Sequence, residues 1–334
     1  MKGAITNGKG DLQIREMPMP HTGDYDCLVR IEACVFCNST DKHIINGTFP
    51  FGKDYPGILG HESVGIIEET GNKVRNYKKG QRVLRPYAIY PGEILDGIHS
   101  FWGGFAEFGK VVDSKAMLED GISEKKIPSC GKQQQIVPEA IPFEKMLLMI
   151  TMKEIYSSVK KINDIKGRNF LIAGAGITAC FFGIFLKMAG AGHIAMTARR
   201  QAPLDFALAN GAADDVFTLD NIPKRKYSAL IDTIGNEELL KKLTTSIANE
   251  KTVYSYAVYN EMSKNNFADD MKKFCNFIRI DPEEYSVHEE ICDMLIRKKF
   301  NPLPFVTYKF PFTEIGNAWK TVKNGSSLKT AVLM

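Results

Sequence analysis

The sequence predicts an α/β chain of two domains, a small irregular β-barrel and a doubly wound parallel sheet. Three observations carry that prediction. The chain has 334 residues, more than a single hydrophobic core usually serves. Its first part holds short apolar runs split by turn residues. Its middle alternates strand-like and helix-like segments around a glycine turn.

Taken in order, residues 28–33 half alternate between apolar and polar, 64–67 follow a Gly-His-Glu run, and 81–84 follow Lys79-Gly80. Short strands at such intervals suit a small barrel. From residue 169 the period changes. Residues 169–173 read as strand, 177–189 as helix, 193–197 as strand, and 204–210 as helix with Gly211 as its C-cap. Strand 229–234, helix 237–247 and strand 252–256 complete the alternation, which predicts a parallel sheet. Near the end, 314–323 reads as a helix closed by Asn324-Gly325, and 328–333 as a strand. Residues 114–136 stand apart, dominated by Lys, Glu, Gln and Ser. They read as an exposed excursion, with a lid or a subunit contact as the alternative.

Composition narrows the function classes. The net charge is +4 and the basic residues are scattered. The runs Lys78-Lys79 and Lys224-Arg225-Lys226 are not interleaved with aromatics, which argues against nucleic acid. Seven cysteines without a repeating frame, and no leader-like segment, predict a reducing cytoplasm rather than a disulfide scaffold. The apolar stretch 170–191 is long enough to mimic a membrane span. Gly174, Gly176, Gly183, Gly190 and Lys187 interrupt it, so strand, turn and buried helix explain it better, and no membrane is expected.

The turn Gly174-Ala175-Gly176-Ile177-Thr178-Ala179 sits between an apolar strand and an apolar helix. Gly174 permits the tight turn, Gly176 lets backbone approach a pyrophosphate, and Ala179 allows close helix–sheet packing. The next strand ends in Met196-Thr197-Ala198-Arg199-Arg200, so Ala198 stands where an NAD site usually offers a carboxylate. Arg199 and Arg200 suit a 2′-phosphate, and NADP(H) is favoured over NAD(H); exposed loop charges are the alternative.

Cys37, His61 and Glu62 offer a thiolate, an imidazole and a carboxylate within the N-terminal third. Such a mixed set suits zinc. With Gly60, Gly65, Gly71 and Val74 it forms Gly-His-Glu-x2-Gly-x5-Gly-x2-Val. That pattern resembles the signature of the zinc-dependent medium-chain dehydrogenase/reductase family, the alcohol and polyol dehydrogenases. Later markers agree, including 231–236 at a strand end and Phe312-Thr313-Glu314-Ile315 at the last helix.

The resemblance implies a GroES-like β-barrel catalytic domain over 1–150, completed by 285–334, and a Rossmann domain over 151–284. It implies one catalytic zinc and hydride transfer between NADP(H) and a secondary alcohol, polyol or sugar-like substrate. Homodimers and homotetramers both occur in the family. Ser39 or Thr40 resembles the family's hydroxyl relay and His43 its onward histidine. The run Cys37-Asn38-Ser39-Thr40-Asp41 is one residue longer than the common spacing, so both hydroxyls stay open. Lys329 matches a basic residue that faces the pyrophosphate, with an ordinary surface lysine as the alternative. Counting back from Gly174 to the family's remaining zinc ligand lands near Ile150-Thr151, neither of which is a ligand. Glu154, one turn later, is one substitute; Glu62 binding directly with water is another. No cysteine lies between Tyr87 and Trp102, so no structural zinc is expected, and Cys34 is assigned to the core. Phe49, Phe101 and Trp102 fall near segments lining the family's substrate cleft, or serve as core. Two competing readings are a metal-free NADPH-dependent quinone or alkene reductase and a non-catalytic dinucleotide-binding protein.

Overall fold

Chain return defines the architecture. The computed structural model describes residues 1–50, 54–224, 226–259 and 267–334, so Arg225 of the basic run 224–226 lies outside it. One unit comprises Met1–Ile150 with His288–Met334, and the second comprises Thr151–Val287.

In the first unit, the central strand is Asp26–Val35. Cys27, Val29, Ile31 and Ala33 point into the core while Arg30 faces out, the period-two pattern of a half-buried strand. One edge pairs antiparallel with Ser63–Thr70, which leads on through Arg82–Leu84 to Ile136–Val137. The other edge is shared. Phe108–Val112 takes residues 26–30, and the late strand Lys329–Leu333 takes residues 33–35. Val306–Pro311 then pairs parallel with Lys329–Leu333, closing a seven-stranded sheet among the described residues. The C-terminal strand is thereby seated beside the chain just as it runs into Phe36-Cys37.

The expected late helix starts one residue later, as Ile315–Lys323, after a 3₁₀ turn over Phe312–Glu314. Ile315, Ala318, Trp319 and Val322 are its buried face, the i, i+3, i+4, i+7 stripe of an amphipathic helix. Trp319 packs against Phe36 with ring centroids 6.2 Å apart. The cysteine-free stretch 87–102 contains a hairpin, Ile94–Leu95 against Ile98–Ser100. Its turn is Asp96-Gly97, both with positive φ (50° and 72°), as a type I′ connection requires.

Residues 114–136 are largely exposed from Lys115 to Ser129, as composition suggests, but the segment is anchored at both ends. Helix Ser114–Glu119 is capped by Asp113, whose carboxylate accepts from Ala116 N–H. Cys130 is buried with Tyr87, Tyr90 and Val112, and Gln134 is 2% exposed. Polar composition alone misleads here, because a long amide side chain is readily buried once its hydrogen-bonding capacity is met.

Among its described residues the second unit has a sheet of six parallel strands. Across the sheet they run Asp215–Thr218, His193–Ala198, Asn169–Ala173, Tyr227–Asp232, Ile247–Ser255 and Asn276–Arg279. In chain order this is 3-2-1-4-5-6, the doubly wound arrangement with its switch point between the first and fourth strands. Phe170 to Ala173 are all buried, as a strand covered on both faces demands. Two helices differ from expectation for local reasons. Gln201–Ala209 begins before 204 because Pro203 falls in the first turn, where its missing N–H removes no helical bond. Glu237–Leu243 stops before 247 because the Thr244 and Thr245 hydroxyls bond back to the Lys241 and Lys242 carbonyls, and a 3₁₀ turn follows. Among the described residues no helix is long and apolar enough to cross a membrane.

Gly183 is buried in helix Ile177–Met188, where an added Cβ would stand 2.0 Å from the Ala212 carbonyl oxygen. Alanine gains about 1 kcal/mol of helix propensity over glycine, but overpacking against backbone costs roughly 1–3 kcal/mol and dominates. Gly183→Ala is expected to lower unfolding stability in a urea titration; a variant as stable as the parent would refute the close approach.

Candidate metal and dinucleotide sites

Cys37 follows the central strand and precedes the short helix Thr40–Ile45; His61 and Glu62 immediately precede strand Ser63–Thr70. The pairing of the two strands, with Cys34 opposite Ser63, brings the two motifs together. One ligand atom from each of Cys37, His61 and Glu62 lies within 4.8 Å of the others, the grouping of this kind found among the described residues. His61 and Glu62 are buried and Cys37 is partly exposed. Gly60 makes this possible. Its φ is +111°, and a Cβ there would lie 2.7 Å from Phe105 N and 2.9 Å from Cys34 Sγ.

Asp41, which the sequence reading passed over, is fully buried beside this group. Its Oδ2 accepts from Cys37 N–H at 2.8 Å, and its Oδ1 lies 3.6 Å from His61 Nδ1. Burial alone disfavours the imidazolium; Asp41 and the Cys37 sulfur outweigh it and hold His61 well above its ordinary pKa. The signal available in the sequence was spacing: an acid four residues after the candidate ligand Cys37, in the first turn of a helix. Arg85 was also missed. It is buried, and its Nη1 donates to the His61 carbonyl at 2.5 Å.

The donor set fits zinc, with one sulfur, one imidazole and one carboxylate. Moreover, His61 Nδ1 and Asp41 Oδ1 are buried without a hydrogen-bond partner, unusual for polar atoms in a finished interior.

Lys329 is not a surface lysine. It is 2% exposed, its ammonium donates to Glu62 Oε1, and it also reaches the Phe36 carbonyl at 3.2 Å. The structure therefore joins Lys329 to the Cys37–His61–Glu62 group. Asn38 adds a staple to the two residues just before that strand, donating to the Ser327 and Leu328 carbonyls at 3.0 Å each.

Ser39, Thr40 and His43 all sit on or just before helix Thr40–Ile45. Ser39 is exposed, whereas Thr40 and His43 are half-buried. His43 Nδ1 pairs with the Thr48 hydroxyl at 2.9 Å, and burial, then the Lys42 charge, push its pKa below the ordinary value. Trp102 lies over His61 with ring centroids 4.8 Å apart, Phe49 packs on Trp102 at 6.3 Å, and Phe101 is buried against Tyr55. Cys34 is fully buried. Glu154 belongs to the second unit, where its carboxylate accepts from the Tyr256 hydroxyl at 3.3 Å.

The second unit brings Gly174, Gly176, Ala179 and Thr197 together at one end of the sheet. Gly174 has φ +116°, and a Cβ there would meet Thr233 Oγ1 at 2.4 Å and the Ala179 Cβ at 3.7 Å. Its N–H donates to the Thr197 carbonyl at 2.8 Å. Thr233 Oγ1 in turn donates to the Ala173 carbonyl, joining two strand ends. Gly176 is exposed at the N-terminus of helix Ile177–Met188, and a Cβ there meets nothing within 4 Å. Open space over helix N–H groups fits a dinucleotide's pyrophosphate. Thr197 Oγ1 is buried without a hydrogen-bond partner. Arg199 and Arg200 are exposed just past strand His193–Ala198, with Arg200 at the start of the next helix.

Comparison with known proteins matches residues 23–119 to the alcohol dehydrogenase GroES-like domain. The NADP-dependent isopropanol dehydrogenase of Thermoanaerobacter brockii is 29% identical over 223 residues, covering 65% of this chain and 61% of that protein. Human sorbitol dehydrogenase is 23% identical over 354 residues, covering 97% of this chain and 93% of that one. Three other curated relatives are matched over only 22% of their own length. The solved alcohol dehydrogenase TADH from Thermus sp. ATN1 superposes with a TM-score of 0.78 at 16% identity, covering 100% of this chain and 99% of its own.

Breaking one side of the Glu62–Lys329 pair tests the ion pair directly. Removing one partner of a buried pair typically costs about 3–5 kcal/mol, so Lys329→Met is expected to destabilise strongly in chemical denaturation. The double variant Lys329→Met/Glu62→Gln is expected to recover part of the loss. A single variant with parental stability would contradict the pairing.

Proposed function

We propose that this chain is a member of the zinc-type medium-chain dehydrogenase/reductase family of alcohol and polyol dehydrogenases, and that it is an NADP(H)-linked oxidoreductase acting on a secondary alcohol, polyol or sugar-like substrate; the GroES-like domain match and the dehydrogenase relatives support this reading. The observation that carries the reading is the convergence of Cys37, His61 and Glu62 ligand atoms within 4.8 Å.

When bound, zinc supplies Lewis acidity toward an alcohol or carbonyl oxygen, and the nicotinamide nucleotide supplies or takes up hydride. Cys37 and His61 would hold the metal, with Glu62 as the third protein donor. Asp41 orients His61, the outer-shell role a carboxylate behind a ligating imidazole usually has. Lys329 fixes the Glu62 carboxylate. A hydroxyl at Ser39 or Thr40 passes the proton on. His43, its ring oriented by Thr48 and its pKa lowered, stays neutral near pH 7 and accepts it. The helix N-terminus at Gly176 takes the pyrophosphate, and Arg199 and Arg200 take the 2′-phosphate. The isopropanol dehydrogenase relative is NADP-dependent by name, which supports the nucleotide choice, and the sorbitol dehydrogenase relative supports a polyol. A cytoplasmic homodimer or homotetramer is part of the same reading.

Metal content gives the first test. The purified chain is expected to hold about one zinc per protomer, and Cys37→Ser or His61→Ala to lose it together with alcohol oxidation. Full activity in metal-free protein, with quinones or activated alkenes as substrates, would replace this reading by a metal-free reductase. Binding of NADPH without turnover of any alcohol or carbonyl would replace it by a binding protein. For the nucleotide, charge-assisted hydrogen bonds are worth about 1.5–3 kcal/mol. Arg199→Ala/Arg200→Ala is therefore expected to lower kcat/KM for NADPH by roughly 10- to 100-fold, with NADH little affected. Equal losses with both nucleotides would assign the arginines elsewhere.

A further inference from the structure

The segment 114–136 ends in a side chain whose hydrogen bonds lead to the metal group. Gln134 is 2% exposed, and its carboxamide is fully engaged by main chain. Nε2 donates to the Arg85 carbonyl at 2.9 Å and to the Lys110 carbonyl at 3.1 Å, while Oε1 accepts from Val112 N–H at 2.9 Å. Two donors and an acceptor meet three different backbone groups, which leaves the side chain a single orientation. The neighbouring main chain is held as well. The Gln134 carbonyl accepts from the Tyr77 hydroxyl at 2.5 Å, and the Gln135 carbonyl from Leu84 N–H at 3.0 Å.

Arg85, the residue so gripped, has φ +58°, a left-handed conformation that a non-glycine residue keeps only when its surroundings over-determine it. Two backbone bonds do so: Arg85 N–H donates to the Ser63 carbonyl at 2.8 Å, and the Arg85 carbonyl accepts from Gln134. Held this way, the guanidinium donates through Nη1 to the His61 carbonyl at 2.5 Å and to the Tyr87 hydroxyl at 3.1 Å. On the other side, the Gly60 carbonyl accepts from Gly104 N–H at 2.7 Å. The main chain that carries His61 is thus fixed from both flanks, and the Arg85 flank is itself held by Gln134 of the excursion.

We propose that Gln134 and Arg85 are positioning residues for the metal site: Gln134 locks Arg85 in its left-handed conformation, and Arg85 sets the main chain from which His61 reaches the ion. This rests on the metal reading above. It also gives the 114–136 segment a task that its polar composition conceals.

The test measures metal affinity in the full chain. Zn²⁺ dissociation is followed by competition with a chromophoric chelator, and the coordination geometry by the visible spectrum of the Co²⁺-substituted protein. Three variants are compared. Gln134→Ala removes the lock, and Arg85→Gly keeps the backbone conformation but deletes the guanidinium. Glu124→Ala alters the same segment at an exposed residue paired only across 3.5 Å with Lys132. Loss of outer-shell partners typically weakens metal binding about 10- to 100-fold. Gln134→Ala and Arg85→Gly are each expected to weaken Zn²⁺ binding by about tenfold or more and to shift the Co²⁺ bands. Glu124→Ala is expected to match wild type. If Gln134→Ala fails to fold, Arg85→Gly decides alone. Variants that melt earlier yet bind both ions as wild type does would reduce the two residues to a structural role and overturn the proposal. A wild-type chain that binds neither ion would overturn the metal reading, and this proposal with it.

Discussion

A carboxylate and an ammonium, each about 2% exposed, meet where the first and last parts of the first unit join. Two charges so far from water are tolerated only as a pair with further hydrogen bonds, and Lys329 has one in the Phe36 carbonyl. The contact requires the chain to leave this unit at residue 150, return at 288, and pair Lys329–Leu333 with the end of Asp26–Val35. Without that return, Glu62 would lose the Lys329 ammonium, and the loop after Phe36 would lose the carbonyls that anchor Asn38. The geometry of Cys37, His61 and Glu62 therefore depends on a strand almost 270 residues downstream of Glu62.

The Cys37–His61–Glu62 group is layered. Cys37, His61 and Glu62 bring their ligand atoms within 4.8 Å of one another. Behind them stand Asp41 on His61, Lys329 on Glu62 and Arg85 on the His61 carbonyl. Glycine makes the inner layer possible where backbone must pass close to other backbone, as Gly60 does against Phe105. The second unit follows a simpler constraint. Parallel strands buried on both faces fix the sheet, and its switch point puts the Gly174 turn beside the Thr233 strand end.

The two units were legible to different degrees. Strand 169–173 matches its expected bounds, because a continuous apolar run between turn signals has few alternatives. Helix 201–209 begins three residues before its expected start, because Pro203 is accommodated in the first turn, where its missing N–H removes no helical bond. Segment 114–136 is exposed over much of its length, as read, but the burial of Gln134 was not legible because composition does not report whether it finds three main-chain partners.

Sequence by itself determined the α/β class and the glycine turn, and it singled out Cys37, His61 and Glu62, which the fold brings together, because each rests on local spacing and on residue types with narrow chemical uses. Tertiary structure alone decided what stands behind those donors. The sequence places Lys329 at a pyrophosphate-facing position, or on the surface, and only sheet pairing buries it against Glu62; nothing in the sequence marks Arg85, whose left-handed backbone accompanies its contact with His61. Such contacts join residues far apart in the chain, and their energy comes from burial and mutual hydrogen bonding, which no local pattern encodes.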